Sequence, residues 1–556
     1  MTRIKLTKVN ENLQNRTALL SVYNKDGIVQ FAKELVNLDF KIYASAGTAK
    51  VLSSAGVDAA DVADLTGGGA IFGHRVVTLS REVYAGLLSR DIDEDKAELE
   101  RLKIPRIDLV CVDLYPLEEE IRNMEHGAWN MEQKREKIIE KTDIGGPTLL
   151  RAAAKGSRIV ICNPADRLRV ISWLQSGEPD REKMINELAA KAEFTVANYT
   201  LISAKYHSYG KYDGIILSQI SECKYGENGW QVPAGLFADE SPRYNDSLSL
   251  SNFQLVAGTA PSYNNLADVD RLLQTATHIA AGFDLNFGKV PYLAVGVKHG
   301  NACGVCVSAN PSSAIQKMLE GDLRAIFGGV VLVNFEIDER LAEVLLVHRM
   351  DSGRRLLDGI VAPSFTASAI ELLKRKGDKC RFLANPALAG LSKSSLDEHL
   401  RFRYVRGGFL RQPNYTFILD LGLNDLEISE ELSESRKPDI ILAWAVGSTS
   451  NSNTVTIVKD GQLLGNGVGQ QDRVGGCELA VKRARDGHHD LQNAAAYSDS
   501  FFPFPDGLLK LIEAGVKTIF ATRGSVKDEE VKKVCAENHA TFITLPDSKA
   551  RGFFGH

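Results

Sequence analysis

The sequence predicts an α/β protein in two parts: a parallel sheet covered by helices on both faces, then a longer, more mixed α/β region. Three observations carry this. Short apolar runs alternate with helical periodicity from Ala18 to Cys162, the pattern of a sheet with crossover helices. A long helical stretch rich in Ala, Glu and Lys, 182–205, closes that series. It is followed by turn signals at Tyr209, Gly210 and Tyr212-Asp213-Gly214. The main boundary falls there, giving domains 1–210 and 211–556, fewer than the three or four folding units that length alone suggests for a 556-residue chain.

The first strand, 18–22, runs into the polar turn Ser21-Val22-Tyr23-Asn24-Lys25. A helix follows with Ile28, Phe31, Ala32, Leu35 and Leu38 on one face. A second strand, 41–44, leads to the turn Ser45-Ala46-Gly47-Thr48 and a helix from Ala49. Further strands are predicted at 107–114 and 158–162. The second region has hairpin signals at Asp460-Gly461 and Asn466-Gly467. It closes with a strand at 516–521, a capping box at Ser525-Val526-Lys527-Asp528 opening a helix, and a last strand at 540–545. No internal repeat or low-complexity tract is visible.

Composition narrows the function. Charged residues are 25% and hydrophobic ones 44%, ordinary for a globular protein. A formal charge of −5 gives no bulk positive field for a nucleic-acid backbone. The longest apolar runs, such as 325–333, fall well short of the ~20 residues of a membrane helix. No signal-peptide h-region is present, and eight cysteines over this length make no disulfide framework. These features predict a reduced cytoplasmic protein with small-molecule substrates and neither nucleic-acid nor membrane partners.

The polar turns after the first two strands point to a phosphorylated ligand. Each offers hydroxyl and backbone N–H donors at a strand end, the first adds Lys25, and helix N-termini suit phosphate.

An ordered series of motifs is more specific. In the first region it comprises Asp113-Leu114-Tyr115-Pro116 and Asp143-Ile144-Gly145-Gly146-Pro147-Thr148, with Arg151 and Lys155 on either side of three alanines. In the second it comprises Lys224-Tyr225-Gly226-Glu227-Asn228, Ser262-Tyr263-Asn264-Asn265, Val297-Lys298-His299-Gly300-Asn301, Phe327-Gly328-Gly329, Ile360-Val361-Ala362-Pro363, Val405-Arg406-Gly407-Gly408, Ser452-Asn453, Gly467-Val468-Gly469-Gln470-Gln471-Asp472-Arg473 and Ser498-Asp499-Ser500-Phe501-Phe502-Pro503-Phe504. From about residue 17 onward, this series closely resembles the bifunctional AICAR transformylase/IMP cyclohydrolase family of purine biosynthesis.

The resemblance implies a methylglyoxal-synthase-like first domain and a transformylase domain built of two cytidine-deaminase-like α/β subdomains. It implies formyl transfer from 10-formyltetrahydrofolate, a co-substrate, to the 5-amino group of AICAR. The product, FAICAR, is then closed to IMP with loss of water. It also implies a homodimer with transformylase sites built across the interface.

The chemistry fits the residues. The AICAR amine is a weak nucleophile that must lose a proton as it attacks. His299 suits the base, and Lys298 suits the oxyanion that develops on the formyl oxygen. Asn453 is expected to hold His299 or the substrate carboxamide. By resemblance Lys224, Tyr225, Asn265, Gly328, Asp358 and Arg473 contact AICAR, Phe501 and Asp506 belong to the folate or substrate site, and Arg551 is the candidate for its phosphate. For ring closure Lys155 matches the proton shuttle, oriented by Asp143 and Tyr115. Lys25, Ser45, Gly47, Thr48, Arg75 and Thr78 match nucleotide contacts. Cys303 and Cys306 have CxxC spacing, yet no His-x-Glu or Pro-Cys-x-x-Cys accompanies them, so no catalytic metal and no redox disulfide are expected.

The chain departs from the family in its first domain. Arg75-Val76-Val77-Thr78-Leu79-Ser80-Arg81 stands where the family has Arg-Val-Lys-Thr-Leu-His-Pro. Three readings stay open: the full bifunctional enzyme, a transformylase with a weak or inactive cyclohydrolase domain, and a non-catalytic paralogue that binds purine or folate.

Overall fold

The computed structural model describes residues 16–72, 75–125, 131–239 and 246–555. By contact the chain divides into two compact units, 1–216 and 217–556. No helix among the described residues is long and apolar enough to cross a membrane.

The first unit is a parallel sheet. Strands β1 (Arg16–Val22), β2 (Phe40–Ala44), β3 (Ala59–Asp61), β4 (Leu109–Asp113) and β5 (Ile159–Ile161) lie in the order β3-β2-β1-β4-β5, every pair parallel. Their near-continuous burial, as in β4, reflects helices on both faces. The chain order reverses beside β1, between β2 and β4. The carboxyl ends of β1 and β4 therefore form the crevice in which ligands of such sheets sit. The helix from the second turn runs over Ala46–Ser54, starting before Ala49. Ala46 lies in ordinary right-handed backbone, as a residue with a Cβ requires there. The long helix is Arg181–His207.

The second unit opens with a small hairpin, β6 (Ser218–Cys223) and β7 (Ala234–Ala238). Its large sheet repeats one wiring plan. In the first half, helix Tyr263–Phe287 leads into the hairpin β9 (Tyr292–Lys298) and β10 (Asn301–Ser308). Helices Pro311–Gly321, Glu339–Val347 and Ala367–Leu373 then alternate with β11 (Val330–Val333), β12 (Gly359–Ala362) and β13 (Arg381–Ala384), and β8 (Gln254–Ala257) forms an antiparallel edge. A separate hairpin follows, β14 (Leu400–Val405) with β15 (Gly408–Pro413).

In the second half, helix Lys437–Gly447 leads into the hairpin β17 (Val455–Lys459) and β18 (Gln462–Gly467). Helices Arg473–Asp486, Pro505–Glu513 and Asp528–Glu537 alternate with β19 (Ala495–Ser498), β20 (Thr518–Arg523) and β21 (Thr541–Pro546), and β16 (Glu427–Ile428) is the edge. The halves join through β10 and β18, giving the order β16-β21-β20-β19-β17-β18-β10-β9-β11-β12-β13-β8. The pair of α/β subdomains is thus present as two similarly wired halves, although the sequence shows no repeat.

Alternation along the strands sorts the core into layers. Leu293, Val295 and Val297 of β9 pack with helices 263–287 and 437–447, whereas Ala294 joins the helices of the first half on the other face. Val455 and Ile457 of β17 pack on the corresponding helices of the second half. These period-two contacts fix the register of the hairpins that carry the site.

Two local expectations change. Asp460-Gly461 forms its hairpin turn, but Gly467 lies inside β18, not in a turn. A Cβ there would stand 2.0 Å from the Gly476 carbonyl oxygen, so the glycine admits a helix against the strand. The last helix begins at Asp528. Asp528 accepts from the backbone of Ser525 (3.2 Å), but Ser525 Oγ accepts from Lys527, so the capping box is only half formed.

Candidate functional site

In the first unit, polar side chains gather at the carboxyl ends of β1, β2 and β4. Lys25 Nζ donates to Thr48 Oγ1 (3.2 Å) and to the Val22 carbonyl. Burial lowers the Lys25 pKa, with Asp113 opposing the shift. Thr48 is wholly buried and Ser45 Oγ lies 3.4 Å from its hydroxyl. Gly47 has open space where a Cβ would be. The first turn differs from expectation. The Asp113 carboxylate accepts from the backbone N–H of Tyr23 (2.7 Å) and Asn24 (2.9 Å). Those donors face a carboxylate, which repels an anion, so Lys25 and the second turn are the phosphate-compatible groups.

Asp143 lies beside them, at the start of helix Gly145–Lys155. Its Oδ1 accepts from the backbone N–H of Gly146 (2.8 Å), and its own N–H donates to the Tyr199 hydroxyl (2.6 Å). Burial raises the Asp143 carboxyl, while the backbone N–H groups of Gly146, Tyr115 and Gly145 oppose the shift. Tyr115 packs edge-on against Tyr23, with ring centroids 5.1 Å apart. Thr78 is buried, and a Cβ on Gly145 would stand 3.1 Å from its hydroxyl.

Two sequence-predicted residues, Lys155 and Arg75, are not brought together with these. Lys155 is exposed in the last turn of helix Gly145–Lys155, whose first turn abuts Asp143. Roughly 15 Å of helix separates the two ends at 1.5 Å per residue, so Asp143 and Tyr115 do not orient Lys155. Arg75 is exposed and paired with Glu140. Val77 packs against the core, and Ser80 caps helix Arg81–Leu88 by accepting from Val83 (3.2 Å). The two departures from the family motif therefore serve folding contacts.

In the second unit the Lys-His motif forms the hairpin corner of β9 and β10. His299 and Gly300 have φ of +53° and +72°, as a two-residue primed turn requires. Lys298 Nζ donates to the Phe327 carbonyl (2.7 Å) beside Gly328, itself at φ +75°. Asp358 follows and pairs with Arg375. Asp268, on helix Tyr263–Phe287, accepts from the Gly300 N–H (2.8 Å). Burial raises its carboxyl, and His299 and Arg271 oppose the shift.

A polar chain continues from this turn. Asn301 Oδ1 accepts from the Asn451 N–H (3.3 Å), and Arg271 donates to the Thr449 carbonyl (3.1 Å) and to the Asn451 side chain. Asn453 is committed elsewhere than expected: its Nδ2 donates to the Gln470 carbonyl (2.9 Å), and its Oδ1 accepts from Arg473 (2.8 Å). Arg473 also pairs with buried Asp499, which accepts from the Thr454 N–H (3.1 Å). Beyond Asp499, Arg551 pairs with Asp547 (2.7 Å) and stands 5.9 Å from the Phe501 ring. Asp506 opens helix Pro505–Glu513 and accepts from the adjoining Gly507 N–H.

Asn265 serves the helix 263–287 as the partner of Ser262 in a capping box. Lys224 and Tyr225 lie in the β6–β7 loop, which reaches the start of that helix through Asn264 donating to the Glu227 carbonyl (3.2 Å). Cys303 and Cys306 are buried, and burial pushes each thiol up to about 12. Among the described residues no group of three or more His, Cys, Asp or Glu is gathered as a metal site needs.

The family model for the AICARFT/IMPCHase bienzyme matches residues 153–483, and the model for the MGS-like domain matches 27–148. The bifunctional purine biosynthesis protein PurH of Persephonella marina is 34% identical over 542 residues, covering 95% of this chain and 98% of its own. The chain belongs to the AICARFT/IMPCHase bienzyme family.

The protein of the same name from Caldicellulosiruptor saccharolyticus is 34% identical over 527 residues, covering 93% of this chain and 95% of its own. A solved structure titled crystal structure of ForH aligns with 35% of this chain and 99% of its own, at 31% identity and a TM-score of 0.31. The sequence assigned no role to Asp268, which bonds the Lys-His turn, to Arg271, which bonds Thr449 and Asn451, or to Asp499, which holds Arg473. The structural role of Asp113 was equally unread.

Proposed function

We propose that the two reactions of the bienzyme are divided between the two units. The second unit, 217–556, transfers the formyl group of 10-formyltetrahydrofolate to AICAR. The AICAR amine attacks the formyl carbon and its proton passes to His299. The formyl oxygen becomes anionic beside Lys298. Collapse breaks the bond to the folate nitrogen, which leaves with a proton, giving FAICAR. The observation that carries this reading is the Lys298-His299 corner: the Lys298 side chain is bonded to a neutral carbonyl and not to a carboxylate among the described residues, and the adjacent imidazole stands at a two-residue hairpin turn. Arg473, Asp358, Gly328, Asn265, Lys224 and Tyr225 are its AICAR contacts, with Arg551 for the phosphate and Phe501 and Asp506 for the folate side. Asn453 acts through Arg473, which it holds.

The first unit, 1–216, closes FAICAR to IMP: the carboxamide nitrogen attacks the formyl carbon, and its oxygen departs as water. Asp143 is the proton shuttle in this reading, because its carboxyl, raised by burial, sits where the backbone N–H groups of Tyr115 and Gly146 meet beside the turn that holds Lys25. Tyr115 lies beside it, and Lys25, Ser45, Gly47, Thr48 and Thr78 hold the nucleotide. Neither reaction uses a resident metal. The exposed β14–β15 hairpin, with Tyr404 71%, Phe409 64% and Leu410 61% accessible, supports a homodimer that covers it.

Supplying AICAR and 10-formyltetrahydrofolate and identifying the product tests the assignment. IMP is expected. FAICAR that accumulates and closes no faster than without protein removes the role of the first unit, and no product at all removes both. Asp143→Asn is expected to slow closure about 10²–10⁴-fold, whereas Lys155→Ala leaves it within about twofold.

A further inference from the structure

The turn that carries His299 has a twin. The β17–β18 hairpin turns through Asp460 and Gly461 at φ +51° and +72°, matching His299 and Gly300 at +53° and +72°. In each half an aspartate on the helix that precedes the hairpin accepts from the turn. Asp439, on helix Lys437–Gly447, bonds both N–H groups: Oδ1 takes Gly461 (2.8 Å) and Oδ2 takes Asp460 (3.1 Å). Asp268 bonds one, Gly300 (2.8 Å), and no second donor to it is found among the described residues. One carboxylate is saturated by its turn; the other holds its turn by a single bond.

A non-glycine residue in left-handed backbone persists only where its surroundings fix it. For His299 those surroundings are few. Asn301 Nδ2 donates to the His299 carbonyl (3.2 Å), and Asp268 anchors the following N–H. The charged groups about the turn are Lys298, Arg271, Asp358 with its partner Arg375, and Asp268 itself.

We propose that Asp268 is a positioning residue for formyl transfer: by accepting from the Gly300 N–H it holds the hairpin corner that aims the His299 imidazole at the AICAR amine. It touches neither substrate nor reacting atoms and acts through His299. The proposal rests on the reading of His299 as the base.

The test compares Asp268→Ala, which removes the acceptor, with Asp268→Asn, which keeps one without the charge. Asp268→Ala is expected to lower kcat for formyl transfer about 10–100-fold, as small misplacements of a catalytic group do, with KM for AICAR within about twofold. Asp268→Asn is expected to recover to within about fivefold of the unmodified protein. In a His299→Ala background, Asp268→Ala should cost nothing more, because both act through one imidazole. Undiminished kcat in Asp268→Ala, a KM that rises as kcat falls, or a further loss on top of His299→Ala each overturns the proposal. If Asp268→Ala does not fold, Asp268→Glu replaces it. Its longer arm displaces the turn, so a loss of about tenfold or more against Asp268→Asn supports the proposal and equal rates overturn it. Undiminished turnover in His299→Ala overturns the base reading itself, a result distinct from failure of Asp268→Ala alone.

Discussion

In the first half of the larger unit the hairpin corner reads Lys298-His299-Gly300; in the second it reads Lys459-Asp460-Gly461. The backbone is the same, but the surroundings differ. Lys459 Nζ is paired with the Asp490 carboxylate (2.6 Å), which offsets its charge, while Lys298 Nζ, among the described residues, donates to the Phe327 carbonyl and to no carboxylate. Asp460 and Gly461 are clamped by an aspartate that is 2% exposed, whereas the less buried Asp268 takes a single N–H of the His299 corner, whose carbonyl accepts from Asn301. The fold thus supplies the same rigid corner twice. Chemistry follows from which side chain occupies it and whether the neighbouring charges are already spent. A free cation and an imaginable base occur together in only one of the two.

The largest test of that contrast is at the corner itself. His299→Ala is expected to lower formyl transfer about 10²–10⁴-fold, the usual cost of removing a general base, with AICAR still bound in calorimetry. Asp460→Ala, at the matching position, should change transfer by no more than about twofold, and should appear instead as a loss of about 1 kcal/mol of stability from alanine at positive φ. A large catalytic effect from Asp460→Ala would show that the two corners are not independent in function.

A second test asks whether the halves are built alike. Gly304 on β10 and Gly465 on β18 each lie four residues after the turn glycine in matched strands. A Cβ at either would stand 2.0 Å from the Met318 carbonyl oxygen or 2.2 Å from that of Ala480. Neither helix backbone can yield cheaply. Gly304→Ala and Gly465→Ala should each destabilise by about 1–3 kcal/mol or more, read as similar losses in denaturant midpoint. A large loss from one and none from the other would mean that the repeated wiring does not extend to packing.

How legible this was in the sequence depended on whether a signal was local. Alternation of strands and helices gave away the parallel sheet because each element carries its own period. Asp460-Gly461 announced its turn because Asp-Gly suits positive φ at both corners; His299-Gly300 makes the same turn without that cue. Asn466-Gly467 imitated the cue, since glycine was needed there for helix contact. The repeat was illegible because the matching helices have 25 and 11 residues and the matched corners carry different side chains, so no fixed period survives. In the candidate site, Lys298, His299 and Arg473 drew attention through ordered motifs. Asp268 was not, being one polar residue on a mostly buried helix; its only signal is that an aspartate on the preceding helix serves each hairpin. The placement of Lys155 was readable and went unread: the helical rise alone puts it a full helix away from Asp143.

The saturated clamp also predicts a pH dependence. Burial raises the Asp439 carboxyl, with the N–H groups of Gly461 and Asp460 and the charge of Arg436 opposing. The native state therefore keeps a proton that the unfolded chain releases. Between the unfolded pKa, about 3.9, and the higher folded one, stability declines as pH rises, by at most about 1.4 kcal/mol per pH unit. Asp439→Asn should flatten that decline in urea titrations. Asp439→Ala should add a loss of about 1–3 kcal/mol from buried donors left without an acceptor. A decline of unchanged slope in Asp439→Asn would assign it to another carboxyl.

The smallest effect expected is that of a chelator, and it bears on the same comparison. Both hairpins are irregular just past their turns: the pairing of β10 with β9 shifts between Ala302 and Gly304, and that of β17 with β18 shifts between Ile457 and Val458. The extra residue is Cys303 in one half and Leu464 in the other. Leucine cannot bind metal, and Leu464 is there to pack against its helix layer. Cys303 fills the matching place, with its Sγ donating to the Gly296 carbonyl (3.4 Å), and Cys306 lies in the same apolar layer. Burial pushes both thiols to about 12, so neither is a thiolate near neutral pH, the form that metals and disulfide exchange require. Formyl transfer should therefore be unchanged by EDTA, and Cys303→Ala should cost stability without changing kcat beyond about twofold. Activity lost to EDTA and restored by zinc would show that this bulge is a ligand site and that the two halves diverge here as well.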